Sequence, residues 1–393
     1  MEVHEFQAKE LLEAQGVPVG RRVVARTEEE IGPALDRLGR DLAGYVVKAQ
    51  VHSGGRSRGH FPGGSAGGGV RCAATACEAE KLARAMLGRR LATAQSGEAG
   101  KPVAAVLVEE AVPVAQEFYL ALLLDRRAQL PLLLASNRGG VAVEESVQEH
   151  GILREWIRAS TGPCQFQLRR MALALGLAEE QREEFCSIAR AMGRLFWEKD
   201  ANLVEINPLA LTTEGRFRAL DAKVVFDDSG LFRQDAIRAL RDPSQGDWRE
   251  ERAERLGLSY VALGGTVACL TNGAGLAMAT MDLLQAAGIR PANFLDLGDS
   301  AGVESVTEAF RLILDGDGVR CLLINVFGGT MRGDLVAEGV LRALAGKKLS
   351  LPLLLRLEGP AAELGRAMLR EHIPGVKIVE DLNGLEEAIR QGI

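Results

Sequence analysis

Residues 321–326 read Cys-Leu-Leu-Ile-Asn-Val, a nearly unbroken apolar run between Arg320 and the pair Gly328-Gly329. As a strand, such a run must be covered on both faces. The sequence around it repeats one rhythm. The pattern predicts strands over residues 261–271, 293–297, 321–326, 351–357 and 376–379, and helices over 274–287, 303–314, 334–344, 361–371 and 384–390. Val303, Val306, Phe310 and Ile313 fall on one helical face. Strict strand–helix alternation with apolar strands means a parallel sheet with right-handed crossovers. The C-terminal part therefore reads as a doubly wound, flavodoxin-like α/β domain.

The first 240 residues lack that rhythm. They predict helices over 4–13, 78–87 and 179–197, and strands over 45–51, 103–108, 118–124, 130–135, 202–206 and 218–223. This half reads as α+β with an antiparallel lean. Pro208 should confine its strand to an edge or an end. The chain turns polar at Arg241-Asp242-Pro243-Ser244-Gln245-Gly246-Asp247. A boundary there divides it into domains 1–245 and 246–393.

Composition narrows the classes. Hydrophobic residues make up 47% and charged residues 25%, which excludes a disordered chain. No apolar run of membrane-spanning length occurs. The net charge of −6 argues against non-specific nucleic-acid binding. The six cysteines form no Cys-x-x-Cys pair, so they read as small hydrophobes in a reducing compartment. The acidic start Met1-Glu2-Val3-His4-Glu5 does not resemble a secretion signal, and the expected location is cytoplasmic.

Several groupings carry chemistry. Lys48 ends a strand just before a glycine-dense loop beginning Gly54-Gly55-Arg56-Ser57. Loop N–H groups beside a lysine can cradle phosphates, or the loop is simply a surface loop. Glu109 and Glu117 flank a hinge; they either accept hydrogen bonds from a nucleoside or are exposed strand ends. Glu205 and Asn207 stand two apart on a strand and face one side, with Asp221 on the next strand. Their oxygens suit Mg²⁺, although chance produces such trios often. Asn272-Gly273-Ala274-Gly275 and Gly328-Gly329-Thr330-Met331-Arg332 each sit between a strand and a helix. Each is a tight turn, or an anion site with free N–H groups at a helix start.

The segments Val3-His4-Glu5-Phe6-Gln7-Ala8-Lys9, Val46-Val47-Lys48-Ala49-Gln50-Val51-His52, Glu205-Ile206-Asn207-Pro208-Leu209, Leu231-Phe232-Arg233, Asn272-Gly273-Ala274-Gly275-Leu276-Ala277-Met278, Pro291-Ala292-Asn293-Phe294-Leu295-Asp296 and Asn325-Val326-Phe327-Gly328-Gly329 occur in that order. Together they resemble the β subunit of succinate–CoA ligase and the related malate–CoA ligase, end to end. The resemblance implies an ATP-grasp domain followed by a CoA-ligase domain. It also implies a reversible reaction of a dicarboxylate, CoA and ATP to give acyl-CoA, ADP and phosphate. The phosphorylated histidine would lie on a separate α subunit, and none of histidines 4, 52, 60, 150 and 372 is nominated as the carrier.

The resemblance further implies that Lys48, with the backbone of Gly55, Arg56 and Ser57, holds ATP phosphates. Glu109, Val112 and Glu117 would hold adenosine. Asn207 and Asp221 would ligate Mg²⁺, and Glu205 would touch the α-subunit histidine. Asn272, Gly329, Thr330 and Met331 would face the dicarboxylate. Three departures would mark a specialised or weakened paralogue: the glycine loop, with Ser57 in place of a glycine and an extension of about eight residues before Val70; Asp299 beside an anion site; and Thr330-Met331 where the family carries a smaller or more apolar pair. Succinate is the expected acid. Malate is the alternative, suggested by Ser136-Asn137-Arg138-Gly139-Gly140, Gln165-Phe166-Gln167 and the stretch around Asp242.

Overall fold

The computed structural model describes the chain except residues 65–66, 141–150, 299–300, 317, 347 and 391–393. The expectations placed on Asp299 and His150 therefore lie outside the described residues. The chain divides into two compact units, Met1–Gln245 and Gly246–Ile393.

The first unit holds two antiparallel sheets. One contains β1 (Arg22–Ala25), β2 (Tyr45–Gln50), β3 (Val70–Ala73) and β6 (Ala105–Glu110), in the order β1-β6-β2-β3. The short strands β4 (Arg90–Thr93) and β5 (Gly97–Pro102) pair separately. In β2, Val47 and Ala49 pack with Leu35, Ala79 and Ala83 of the helices Glu28–Leu38 and Ala76–Met86. Alternation sends Lys48 and Gln50 to the opposite face. Thr75 caps the second helix, accepting the Glu78 N–H at 3.2 Å.

The other sheet contains β7 (Val114–Asp125), β8 (Leu130–Ser136), β9 (Leu153–Trp156), β10 (Ala201–Thr212), β11 (Phe217–Ala219) and β12 (Ala222–Phe226). The order is β11-β10-β7-β8-β9, with β12 also pairing to β10. Its core takes Leu168, Met171, Ile188 and Met192 from helices Gln165–Ala174 and Glu179–Glu198, and Ala8 and Leu12 from Glu5–Ala14.

Two expectations fail here, for connected reasons. Pro208 lies inside β10, not at its end, although it has no N–H for a ladder. The β10–β7 register shifts between Ile206 and Leu209, so the ladder is already interrupted at that point. On the other side, the predicted strand 218–223 is broken. β12 pairs with β10 up to Ile206, and β11 takes over from Leu209. The break leaves Leu220 and Asp221 outside regular pairing.

The second unit is a six-stranded sheet of β13 (Ser259–Ala262), β14 (Val267–Thr271), β15 (Asn293–Asp296), β16 (Cys321–Val326), β17 (Leu353–Leu357) and β18 (Lys377–Val379). The order is β13-β15-β14-β16-β17-β18. Apart from β13, this is the flavodoxin-like order, and those strands pair parallel. β13 is the correction. The predicted strand 261–271 breaks at Gly264-Gly265, where a Cβ on Gly265 would lie 2.1 Å from the Arg290 carbonyl oxygen. The first piece turns back to pair antiparallel with β15. Every residue of β16 is buried. Cys186, Cys269 and Cys321 are buried, whereas Cys72 and Cys77 are exposed. No helix among the described residues is long and apolar enough to cross a membrane.

Phe118 and Phe217 meet edge to face, 5.8 Å apart, on adjoining parts of the second sheet, and both are fully buried. Phe217→Ala should destabilise the protein by about 3–5 kcal/mol. Urea unfolding of the full chain reads this as a lower midpoint at unchanged slope.

Candidate active site

A closed set of charges gathers where the helix Glu5–Ala14, the first sheet and the broken strand meet. Lys48 comes from β2 and Glu109 from β6, both on the face away from the apolar helices. Glu5 and Lys9 lie one turn apart on the N-terminal helix, on the same side. The Lys48 Nζ is 2.7 Å from Glu5 Oε1, 2.6 Å from Glu109 Oε2 and 2.5 Å from the Leu220 carbonyl oxygen. The Lys9 Nζ is 2.9 Å from Glu5 Oε1, 2.5 Å from Glu109 Oε1 and 2.6 Å from the same Leu220 oxygen. The Leu220 N–H donates to the Pro208 oxygen at 3.1 Å, and its own oxygen is available because Pro208 has no N–H to return.

Arg56 completes the set. Its Nη2 lies 2.8 Å from Glu5 Oε2 and 2.6 Å from Asp221 Oδ2. Three cations thus face three carboxylates. Burial alone would raise the Glu5 carboxyl, but Lys48, Lys9 and Arg56 outweigh it and hold it well below the usual carboxylate range. Burial pulls the Lys48 ammonium down, and Glu5, Glu109 and Asp221 more than reverse this. Both groups are charged at neutral pH.

Lys48, Arg56, Glu109 and Asp221 therefore come together. Glu109 differs from its expected setting. It is not an open strand end but a buried counter-ion, with each oxygen engaged by a lysine. Glu117 is exposed, and Val112 is half-buried. Glu205 and Asn207 share one side of β10, since Val204 and Ile206 are fully buried on the other. Asn207 clasps Gly140: its Oδ1 accepts from Gly140 N at 2.6 Å, and its Nδ2 donates to Gly140 O at 3.3 Å. The Asn207 N–H donates to the Asp221 carbonyl at 3.1 Å, so the two residues are direct neighbours.

Gly55 has φ +70°, and Arg56–Arg58 form a single 3₁₀ turn carrying Ser57. The extension folds back: Phe61 is buried in the first core, and Gly69 N donates to Arg56 O at 2.7 Å. His4 is buried and His52 half-buried, with their rings 4.5 Å apart. Burial and the neighbouring His4 drop the His52 imidazole to about 3, so it is neutral.

In the second unit, Asn272 follows β14 and Phe327 follows β16, at the switch point of the strand order. The Asn272 amide spans it, donating to Phe327 O and accepting from Phe327 N, both at 2.9 Å. Asp296 accepts from Gly273 N at 2.5 Å and Gly298 N at 2.8 Å. The Gly273 N–H, expected to be free for an anion, is thus occupied. Gly329 and Thr330 are exposed, but the Met331 side chain belongs to the apolar core and does not face solvent. The following helix starts only at Gly333, with an Arg332–Asp334 ion pair at its head. Beneath these loops runs a polar ladder that the sequence reading passed over. Asn325 is held by Thr280 at 2.8 Å and Arg356 at 3.0 Å, and Arg356 lies 2.5 Å from Glu358.

An ATP-grasp family model matches residues 2–211, and a CoA-ligase family model matches residues 270–389. The succinate–CoA ligase [ADP-forming] subunit beta of Paracoccus denitrificans is 43% identical over 397 residues, covering 100% of both chains. The protein of the same name from Acidithiobacillus ferrooxidans is 44% identical, covering 100% of this chain and 99% of its own. This chain belongs to the succinate–CoA ligase β-subunit family. Among solved structures, ATP citrate lyase from Methanothrix soehngenii has the same fold, with a TM-score of 0.69. It is 20% identical and is matched over 96% of this chain and 95% of its own. The family resemblance covers both units and every segment that builds the charge set, the Glu5–Lys9 helix included.

The sign of the pH dependence follows from Glu5. Its folded pKa is depressed, so its contribution to stability is present above its ordinary value of 4.5 and is lost as pH falls. Glu5→Gln should therefore flatten the acid limb of a stability–pH profile. At pH 7 it should cost about 3 kcal/mol by leaving buried cations underpaired. Thermal unfolding of wild type and variant between pH 3.5 and 7 checks both.

Proposed function

We propose that the chain is the β subunit of a dicarboxylate–CoA ligase. It would join succinate to CoA while ATP becomes ADP and phosphate, in complex with an α subunit that carries the phosphorylated histidine. The observation that carries this reading is end-to-end identity above 40% with proteins named for that reaction. The convergence of Lys48, Arg56, Glu109 and Asp221 supports it.

Phosphoryl transfer asks a protein for position and charge more than for covalent work. Lys48 and Arg56 supply buried positive charge, and the turn at Gly55, Arg56 and Ser57 brings backbone close to it. Glu117 and Val112, beside the nucleotide, would meet the adenosine, with Glu109 beneath. Asn207 and Asp221 fit Mg²⁺ in donor chemistry. They are hard oxygen donors on neighbouring segments, and the Asp221 side chain keeps 34% of its surface exposed. Among the described residues no three His, Cys, Asp or Glu side chains gather into a metal site. Mg²⁺ keeps waters and leans on substrate phosphates, so it would ask for few protein donors. When bound, it would screen phosphate charge. Glu205 would face the α-subunit histidine. Asn272 and the exposed Gly329 and Thr330 would border the carboxylate, with Met331 supporting them from the core. CoA would enter largely through the α subunit. The expected compartment is the cytoplasm.

The test is reconstitution with the α subunit encoded beside this chain. Acyl-CoA formation from CoA and Mg-ATP is followed with succinate and with malate. Succinate should be preferred. Lys48→Met should lower turnover by about 10²-fold or more. Asp221→Asn should raise the Mg²⁺ concentration needed for half-maximal rate. Malate preference would change the acid and keep the ligase reading. Absence of turnover with either acid would overturn it.

A further inference from the structure

Lys48 and Lys9 make the same contacts. Each Nζ touches Glu5 Oε1, one oxygen of Glu109 and the Leu220 carbonyl, all within 2.9 Å. No ordinary packing need calls for two buried lysines on one set of acceptors. Lys9 is 0% exposed and Lys48 5%, and each ammonium carries a desolvation cost. The duplication has a consequence once Lys48 is asked to serve a ligand. Moving a lone lysine onto a phosphate would strand Glu109 as an unpaired buried carboxylate and leave Glu5 with Arg56 alone, which is severely unfavourable. With Lys9 present, both acids keep a partner. The Leu220 oxygen keeps a donor as well.

We propose that Lys9 is a positioning residue, a resident counter-ion that holds Glu5, Glu109 and the Leu220 carbonyl so that Lys48 can turn to a nucleotide phosphate. It touches no ligand itself. The inference rests on the nucleotide reading given above and adds a residue to it. The N-terminal helix supplies the charge, with Glu5 and Lys9 one turn apart so that both meet one point. Glu5 is the opposing element, because it tethers Lys48 in the unliganded state.

Two substitutions then act with opposite signs. Lys9→Met leaves Lys48 as the main counter-ion of two acids and should weaken Mg-ATP binding about tenfold. Glu5→Gln removes one tether and should leave binding unchanged or tighter. The double variant Glu5→Gln/Lys9→Met restores the balance of charge, and should bind within about threefold of wild type. Isothermal titration of the full chain with Mg-ATP measures all four proteins. In the enzyme assembled with its α subunit, Lys9→Met should raise KM for Mg-ATP with kcat little changed. A purely structural role for Lys9 and Glu5 would weaken binding in both single variants and more in the double. That result overturns the proposal, as does wild-type affinity in Lys9→Met. If Lys9→Met does not fold, Glu5→Gln and the double decide: weaker binding in either, by tenfold or more, overturns it. Wild type failing to bind Mg-ATP would instead overturn the nucleotide reading itself.

Discussion

Three cations and three carboxylates meet at one largely buried point in the N-terminal unit, with Asp221 on its open side, and the arrangement of that unit follows from the need to keep them matched. Each ion alone would be too costly to bury, and removing one partner from such a set costs about 3–5 kcal/mol. The set is neutral only if four separate pieces of chain meet: the Glu5–Ala14 helix, the first sheet with Lys48 and Glu109, the Arg56 turn, and Leu220 and Asp221 at the broken strand. Electrostatic pairing therefore ties the two sheets of this unit together where apolar packing does not. Pro208 is part of that solution. It faces Leu220 and has no N–H to donate, so the Leu220 carbonyl is left for both lysines.

The C-terminal unit meets a similar demand chiefly with hydrogen bonds. At the ends of its parallel strands, Asn272, Asn325 and Asp296 take up backbone and side-chain partners, Thr280 of the helix Ala274–Ala286 among them. The Asn272 amide replaces a missing backbone pairing between two loops, with one donor and one acceptor used at once. Gly359 belongs to this packing: a Cβ there would lie 2.2 Å from the Gly328 oxygen. The exposed backbone at Gly329 and Thr330 is thus held from below.

What could be read from residues alone divides along a physical line. Cys321–Val326 and Leu353–Leu357 were legible because buried parallel strands are continuous apolar runs, and the amphipathic Val303–Leu314 helix because its apolar face repeats. Gly97–Pro102 was not, since its sequence Gly-Glu-Ala-Gly-Lys-Pro carries no strand pattern; its partner strand alone makes it one. Pro208 misled because a local rule ignores a register shift that only the neighbouring strands impose. Among the site residues, Lys48, Arg56, Glu109 and Asp221 were nominated, but their mutual contacts were not. Glu5–Lys48 joins residues 43 apart, and Lys48–Leu220 joins residues 172 apart. Glu5 and Lys9 left a trace, an acid and a lysine at helical spacing, and that pattern is ordinary on any exposed helix. Only burial shows that this pair lies inside.

Neutrality also bears on how a polyphosphate would be accepted. A site with no net charge does not attract an anion by field alone, and each cation here is already paired. Binding has to redistribute partners rather than fill a positive hole. Arg56 and Lys48 can turn to phosphate only if Asp221, Glu5 and Glu109 are compensated otherwise. Lys9 can answer for the two glutamates. Asp221 is paired directly with Arg56, and it stands beside Asn207 with part of its carboxylate open to solvent. A divalent cation arriving with the nucleotide would meet that need, while Arg56 goes to the phosphate. A metal-free nucleotide would then be the wrong ligand for such a site, because it would bring negative charge to a place where each cation is already paired.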